Sequence, residues 1–126
     1  MHTLAGKISD SELEVMRVLW DADSALPVAE IRRILQARRG WESTTIKTLV
    51  QRLVNKGAVL QEKRGNYFYS PLVTEKEYNE WATDDLINKL YRGSAKRLVA
   101  ALVQSDELSE ADIEELRALL KGDGAK

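Results

Sequence analysis

The sequence predicts a mainly α fold with one small β-hairpin, in which three amphipathic helices precede the hairpin and three more follow it. Three observations predict this. Apolar residues recur at helical spacing behind recognisable start signals, the period changes to two after Gly57, and the net charge reverses sign partway along the chain.

The first helix starts at Ser9. Ser9-Asp10-Ser11-Glu12 matches a capping box, in which a hydroxyl and a carboxylate each satisfy a free backbone amide, and Ile8 can staple onto Leu13. Leu13, Met16, Leu19 and Trp20 then fall on one face, so a helix is expected to about Trp20, with Asp21-Ala22-Asp23-Ser24 as a loop. Pro27 suits the first turn of the second helix, where a missing amide costs nothing, and Val28, Ile31 and Leu35 form its buried stripe. Leu26, just ahead, can add a short third strand to the hairpin.

Arg39-Gly40-Trp41 breaks the pattern before a third helix, expected from Glu42 or Ser43 to the cap residue Gly57. Its core positions are Ile46, Leu49, Val50 and Leu53. The rest, Thr44, Thr45, Lys47, Thr48, Gln51, Arg52 and Asn55, form a face without an acid. Beyond Gly57, Val59-Leu60-Gln61-Glu62 and Tyr67-Phe68-Tyr69-Ser70 flank a turn at Arg64-Gly65-Asn66, giving a hairpin with a basic tip. Three helices and a hairpin, with the third helix polar and basic outward, make a winged helix-turn-helix, placed over residues 1–73.

Residues 74–126 read as a helical dimerisation region. Thr74-Glu75-Lys76-Glu77 is a second capping box, Gly93-Ser94 separates two helices, and Ser109-Glu110-Ala111-Asp112 opens a third. Tyr78, Trp81, Leu86, Leu90, Leu98, Leu102, Ile113, Leu116 and Leu120 give these short helices apolar faces. A tail of about 50 residues is too small to bury such faces alone, so a second copy of the chain is expected to cover them.

Charge and composition narrow the function. The 126-residue chain has a formal net charge of −1, but residues 1–73 carry 11 basic against 8 acidic residues and the remainder 8 against 12. From Arg32 to Arg64 there are nine basic residues (Arg32, Arg33, Arg38, Arg39, Lys47, Arg52, Lys56, Lys63 and Arg64) and two acids, Glu42 and Glu62. Screening over about 8–10 Å makes that local density, not the chain average, what a phosphate backbone feels. With no cysteine, disulfides, thiolate metal sites and thiol catalysis are excluded, and the only histidine, His2, leaves no serine-histidine triad or histidine metal site. The glycines form no phosphate loop, and no enzyme, metal or cofactor is expected. The absence of a long apolar run predicts a cytoplasmic chain without membrane insertion.

Threonine, lysine, glutamine and arginine on one helix can donate to phosphates and to base edges in a major groove. Thr44, Thr45, Lys47, Thr48, Gln51 and Arg52 are therefore the candidate reading residues, with Lys63 and Arg64 at the wing tip. Trp20 and Trp41 read as packing residues, and Tyr67, Phe68 and Tyr69 as strand residues with one face buried.

The chain resembles the BlaI/MecI family of bacterial transcriptional repressors from about Ile8 to Leu120. The resemblance rests on Glu14-Val15-Met16-Arg17-Val18-Leu19-Trp20, on Trp41 followed by Thr45-Ile46-Lys47-Thr48-Leu49-Val50-Gln51-Arg52-Leu53, and on Lys56-Gly57-Ala58. Tyr67-x-Tyr69-x-Pro71-Leu72-Val73, Ile87-Asn88-Lys89-Leu90-Tyr91 and Asp106-Glu107-Leu108-Ser109 with Ile113-Glu114-Glu115-Leu116 extend it. It implies a homodimer binding double-stranded operators with inverted TACA/TGTA-like half-sites, Thr44, Thr45, Lys47, Thr48 and Arg52 in the major groove, and Lys63 and Arg64 on phosphate. It also implies a membrane sensor protease as a partner that triggers cleavage at an Asn-Phe pair in the dimerisation region. Here Ala101-Leu102 stands at that place, a departure from the pattern. Glu42-Ser43 replaces a frequent Ser-Pro at the third helix start, which shifts the cap and brings an acid near phosphate. The chain also lacks the cysteine-rich end of copper-responsive relatives, which removes thiolate copper sensing.

Two other readings use the same residues. The basic face can dock an acidic protein without selecting a DNA sequence, or the tail helices near Trp81 and Tyr91 can hold a small ligand.

Overall fold

Ser9 and Glu12 complete both halves of their capping box: the Ser9 amide donates to Glu12 Oε1 at 3.0 Å and the Glu12 amide to Ser9 Oγ at 3.2 Å. The helix they start, α2, runs Asp10–Asp21 in the computed structural model, which describes residues 3–124. His2 lies outside the described residues. A four-residue helix, α1 (Thr3–Gly6), precedes α2 and has no counterpart in the sequence reading. Ala5 and Ile8 are buried, so tertiary packing holds this turn where its intrinsic preference would not.

Leu26–Pro27 form β1, and Pro27 is the N-cap of α3 (Val28–Arg39) rather than a residue of its first turn. α4 spans Ser43–Lys56 and stops at Gly57, whose φ of 84° is the left-handed conformation glycine adopts without strain. The hairpin pairs β2 (Val59–Arg64) with β3 (Asn66–Pro71), and Gly65 turns it with φ 80°. The sheet order is β1-β3-β2, all antiparallel, with Leu26 opposite Tyr69, Val59 opposite Pro71 and Arg64 opposite Asn66. The core lies where α2, α3 and α4 meet this sheet, with Val15, Met16, Ile31, Leu35, Ile46, Leu53 and Ala58 fully or almost fully buried.

α5 (Glu75–Tyr91) begins with the Thr74/Glu77 box, closed by amide bonds of 2.8 and 3.0 Å. α6 (Ala95–Gln104) is capped by Ser94, and α7 (Glu110–Gly124) by Ser109, whose hydroxyl accepts from the Asp112 amide at 3.0 Å. The expected helices, hairpin and short third strand are therefore present.

The chain divides into two compact units, Met1–Ala82 and Thr83–Lys126. The division falls inside α5, not at its start, because the first turns of α5 belong to the first unit. Tyr78 packs between Trp20 and Trp81 with tilted rings at centroid distances of 5.9 and 5.7 Å, and Trp81 covers Gly6 so closely that an added Cβ would sit 3.1 Å from the indole. The Trp20 indole N–H donates to the Val73 carbonyl at 2.9 Å, locking the entry into α5. Tyr78 and Trp81, expected on a dimer face, are half-buried and pack against the first unit's core.

Candidate nucleic-acid interface

α4 turns Ile46, Leu49, Val50 and Leu53 inward and leaves Thr44, Thr45, Lys47, Thr48, Gln51 and Arg52 exposed, as their spacing predicts. Thr44, Thr45, Thr48 and Arg52 border one open depression over Leu49, so four of the six reading candidates converge on a single concave patch. Gln51 donates to Asn55 Oδ1 at 3.1 Å along the helix. Among the described residues, neither Lys47 nor Arg52 makes an ion pair, so both cations are free to meet an anion without breaking a bond. Arg33, by contrast, is tied to Glu30, and Arg38 faces Asp21 at 3.8 Å.

The N-cap of α4 is Glu42, which makes no side-chain cap bond. The exposed carboxylate suits the positive end of the helix dipole but opposes a phosphate brought to the same place. Ser43, one residue on, accepts instead from Gln36 Nε2 at 3.3 Å, which joins the start of α4 to α3.

The wing carries its two cations over aromatic rings. Lys63 Nζ lies 5.8 Å from the Tyr67 ring centroid and the Arg64 guanidinium 5.5 Å from that of Phe68. Arg64 also pairs through Nη2 with Glu62 at 2.8 Å, a contact not anticipated from the sequence, and its other guanidinium N–H groups remain available to a phosphate. Trp41 packs partly buried on the core with Arg39 5.4 Å above its ring, and Trp20 is likewise a packing residue.

One charged side chain among the described residues is buried: Glu12, 1% exposed. Burial alone pushes its carboxyl up, but hydrogen bonds from Lys56 and Ser9 and the Lys56 charge outweigh that and hold it below the usual carboxylate value. No group of three or more described His, Asp or Glu side chains could hold a metal ion, and no described helix is long and apolar enough to cross a membrane. Ala101 and Leu102, at the expected cleavage region, lie inside α6, with the Ser105 amide donating to both carbonyls.

The penicillinase repressor family model matches residues 8–122. The penicillinase repressor of Bacillus licheniformis is 35% identical over 116 residues, which cover 91% of this chain and 90% of that protein. The methicillin resistance regulatory protein MecI of Mammaliicoccus sciuri is 37% identical over 115 residues, covering 90% and 93% respectively. Among solved structures, the monomeric form of Bacillus licheniformis BlaI in complex with the blaP half-operator is 38% identical, covers 57% of this chain and 88% of that one, and superposes with a TM-score of 0.51.

Proposed function

The chain belongs to the penicillinase repressor family, and from that premise we propose that it is a DNA-binding transcriptional repressor whose operator contacts come from the α4 face and the wing tip. The observation that carries the assignment of these contacts is the acid-free α4 face, on which neither Lys47 nor Arg52 makes an ion pair among the described residues. Free cations exchange condensed counterions for phosphate at no internal cost, and threonines beside them reach base edges. The operator complex of a relative favours DNA over an acidic protein as the ligand of this face. The protein works by occupying DNA and catalyses no reaction.

The second unit supplies the dimer in this reading. Leu86, Leu90, Leu102, Leu116 and Leu120 are 40–78% exposed, with Leu98 and Ile113 half-buried beside them. A second copy covering these seven residues would place two reading faces on one palindrome, so that affinity depends on both half-sites. A membrane sensor protease could act at Ala101-Leu102 only after the end of α6 unwinds, because a protease takes its substrate extended and this bond is helical.

Fluorescence anisotropy of the purified protein tests the reading, using a duplex with inverted TACA/TGTA half-sites against a scrambled duplex at several salt concentrations. The expected result is a preference of about 10³-fold or more with a steep salt slope. Lys47→Ala and Arg52→Ala should each cost about 1–3 kcal/mol of operator binding. Equal, weak binding to both duplexes, and no enriched sequence from random DNA, would overturn it.

A further inference from the structure

Lys56 is the last residue of α4 and the point from which both reading elements diverge. One residue on, Gly57 turns the chain, and two residues later β2 begins. Lys56 Nζ donates to Glu12 Oε1 at 2.5 Å and to the Lys7 carbonyl at 2.7 Å, spanning 44 and 49 residues of sequence. The joint is fixed from the other side as well, where the Leu72 amide donates to the Ala58 carbonyl at 2.8 Å. The end of the candidate recognition helix and the root of the wing are thereby pinned to the N-terminus of α2 and the segment that follows α1.

Glu12 does not need its charge to cap α2. A glutamine closes the same box, because the box requires only an acceptor for the Ser9 amide. A buried carboxylate is therefore surplus to the local structure, and such ion pairs are poor sources of stability compared with apolar replacements of similar size. What they supply is direction. Apolar contacts along the inner face of α4 are non-directional, whereas an ammonium held by a carboxylate and a carbonyl adds fixed distances and directions at the end of the helix.

We propose that Lys56, held by Glu12 and the Lys7 carbonyl, is a positioning residue for operator recognition: it sets the axial placement of α4 and the root of the wing, and thereby sequence selectivity, without touching DNA. This rests on the operator reading above. The role differs from that of Lys47 and Arg52, whose loss removes contacts directly.

Three variants of the full-length chain test it: Lys56→Met, Lys56→Arg, and Glu12→Gln with Lys56→Met. The double variant keeps the capping box and leaves no unpaired buried charge. Each is titrated against the half-site duplex and the scrambled duplex, with melting followed in parallel. Lys56→Met is expected to lower selectivity by about tenfold or more while changing affinity for the scrambled duplex by no more than about threefold, the effect of one remote charge. The double variant should regain melting temperature but not selectivity, and Lys56→Arg should retain part of the selectivity through its own donors. Recovery of both stability and selectivity in the double variant would overturn the proposal, as would unchanged selectivity in Lys56→Met. A wild-type chain without selectivity in the same titration overturns the operator reading itself, and the positioning role with it, while leaving the variant comparison readable as stability alone.

Discussion

Ile31, Leu35, Ile46 and Leu53 in the first unit are fully buried, whereas Leu90, Leu119 and Leu120 in the second are 65%, 58% and 78% exposed. The helices of the two units are written in the same way, with capping boxes and apolar residues at helical spacing. The difference lies in closure. In Met1–Ala82, helices α1 to α4, the sheet and the start of α5 surround one another, and every buried hydrophobic residue among those described is found there. In Thr83–Lys126, the end of α5 with α6 and α7 buries none among the described residues, which leaves its apolar faces open in the single chain. In the proposed dimer a second copy completes those faces, and occupancy of the operator then depends on dimerisation.

Cutting the chain should expose this contrast most strongly. A fragment ending at Ala82 keeps Val73, Tyr78 and Trp81 in place and is expected to be a folded monomer, binding a two-half-site operator about 100-fold or more weakly than the full chain because the second contact is no longer intramolecular. A fragment ending at Ser70 loses Val73, the acceptor for Trp20 and the Tyr78–Trp81 contact, and should lose its cooperative melt altogether. Sedimentation and thermal melting distinguish the two. A dimeric Ala82 fragment would move the interface into the first unit and break the comparison.

A charge placed on the open face should have a smaller but related effect. Leu90→Asp combined with Leu102→Asp puts carboxylates where a partner helix is proposed, both at positions that are 65% and 40% exposed in the single chain. Operator affinity should fall by about 30-fold or more through loss of the dimer, while melting of the first unit stays within about 0.5 kcal/mol of wild type, as for ordinary surface changes. A drop in first-unit stability would mean that those leucines already pack within one chain.

How much of this was legible in the sequence follows the same division. Ser9, Thr74 and Ser109 announced their helices because capping chemistry is local, and Gly57 and Gly65 announced their turns because few residues take a positive φ. The exposed, acid-free face of α4 was legible because burial follows the helical period. What was not legible depends on residues distant in sequence. Glu12 could be read as a cap and Lys56 as part of a basic window, but no local pattern says that the two meet across 44 positions. α1 is too short to show a period and is held by tertiary packing, with Ala5 in the core and Trp81 against Gly6. Tyr78 and Trp81 were read as part of the tail's apolar face and pack partly buried on the first unit's core: helical spacing shows that a face is apolar but not what it packs against.

Glu12 allows the first unit to be probed with pH. Its carboxyl is held below the ordinary value of 4.5 in the folded chain, so its contribution to stability is present above that value and is lost as pH falls through the lowered, folded-state one. Glu12→Gln should cost about 2 kcal/mol at neutral pH, less than for a fully buried pair because Lys56 keeps some exposure to water. The gap between wild type and variant should close on acidification. Melting curves across the acid range check this, and a gap that widens toward low pH would reverse the assignment of Lys56 as the dominant partner.

The smallest expected effect separates the units by concentration. Ser9→Ala removes the acceptor for the Glu12 amide and should lower stability by about 1 kcal/mol, equally at every protein concentration, because α2 is held within its own unit. Ser109→Ala removes the corresponding acceptor for the Asp112 amide at the start of α7. The local chemistry is the same, but a helix whose apolar face is completed by a partner transmits the loss to association, so the deficit should appear at low concentration and shrink as the dimer is driven together by mass action. An equal shift in melting temperature at all concentrations would show that α7 is stabilised within its own chain, and that the second unit closes by itself.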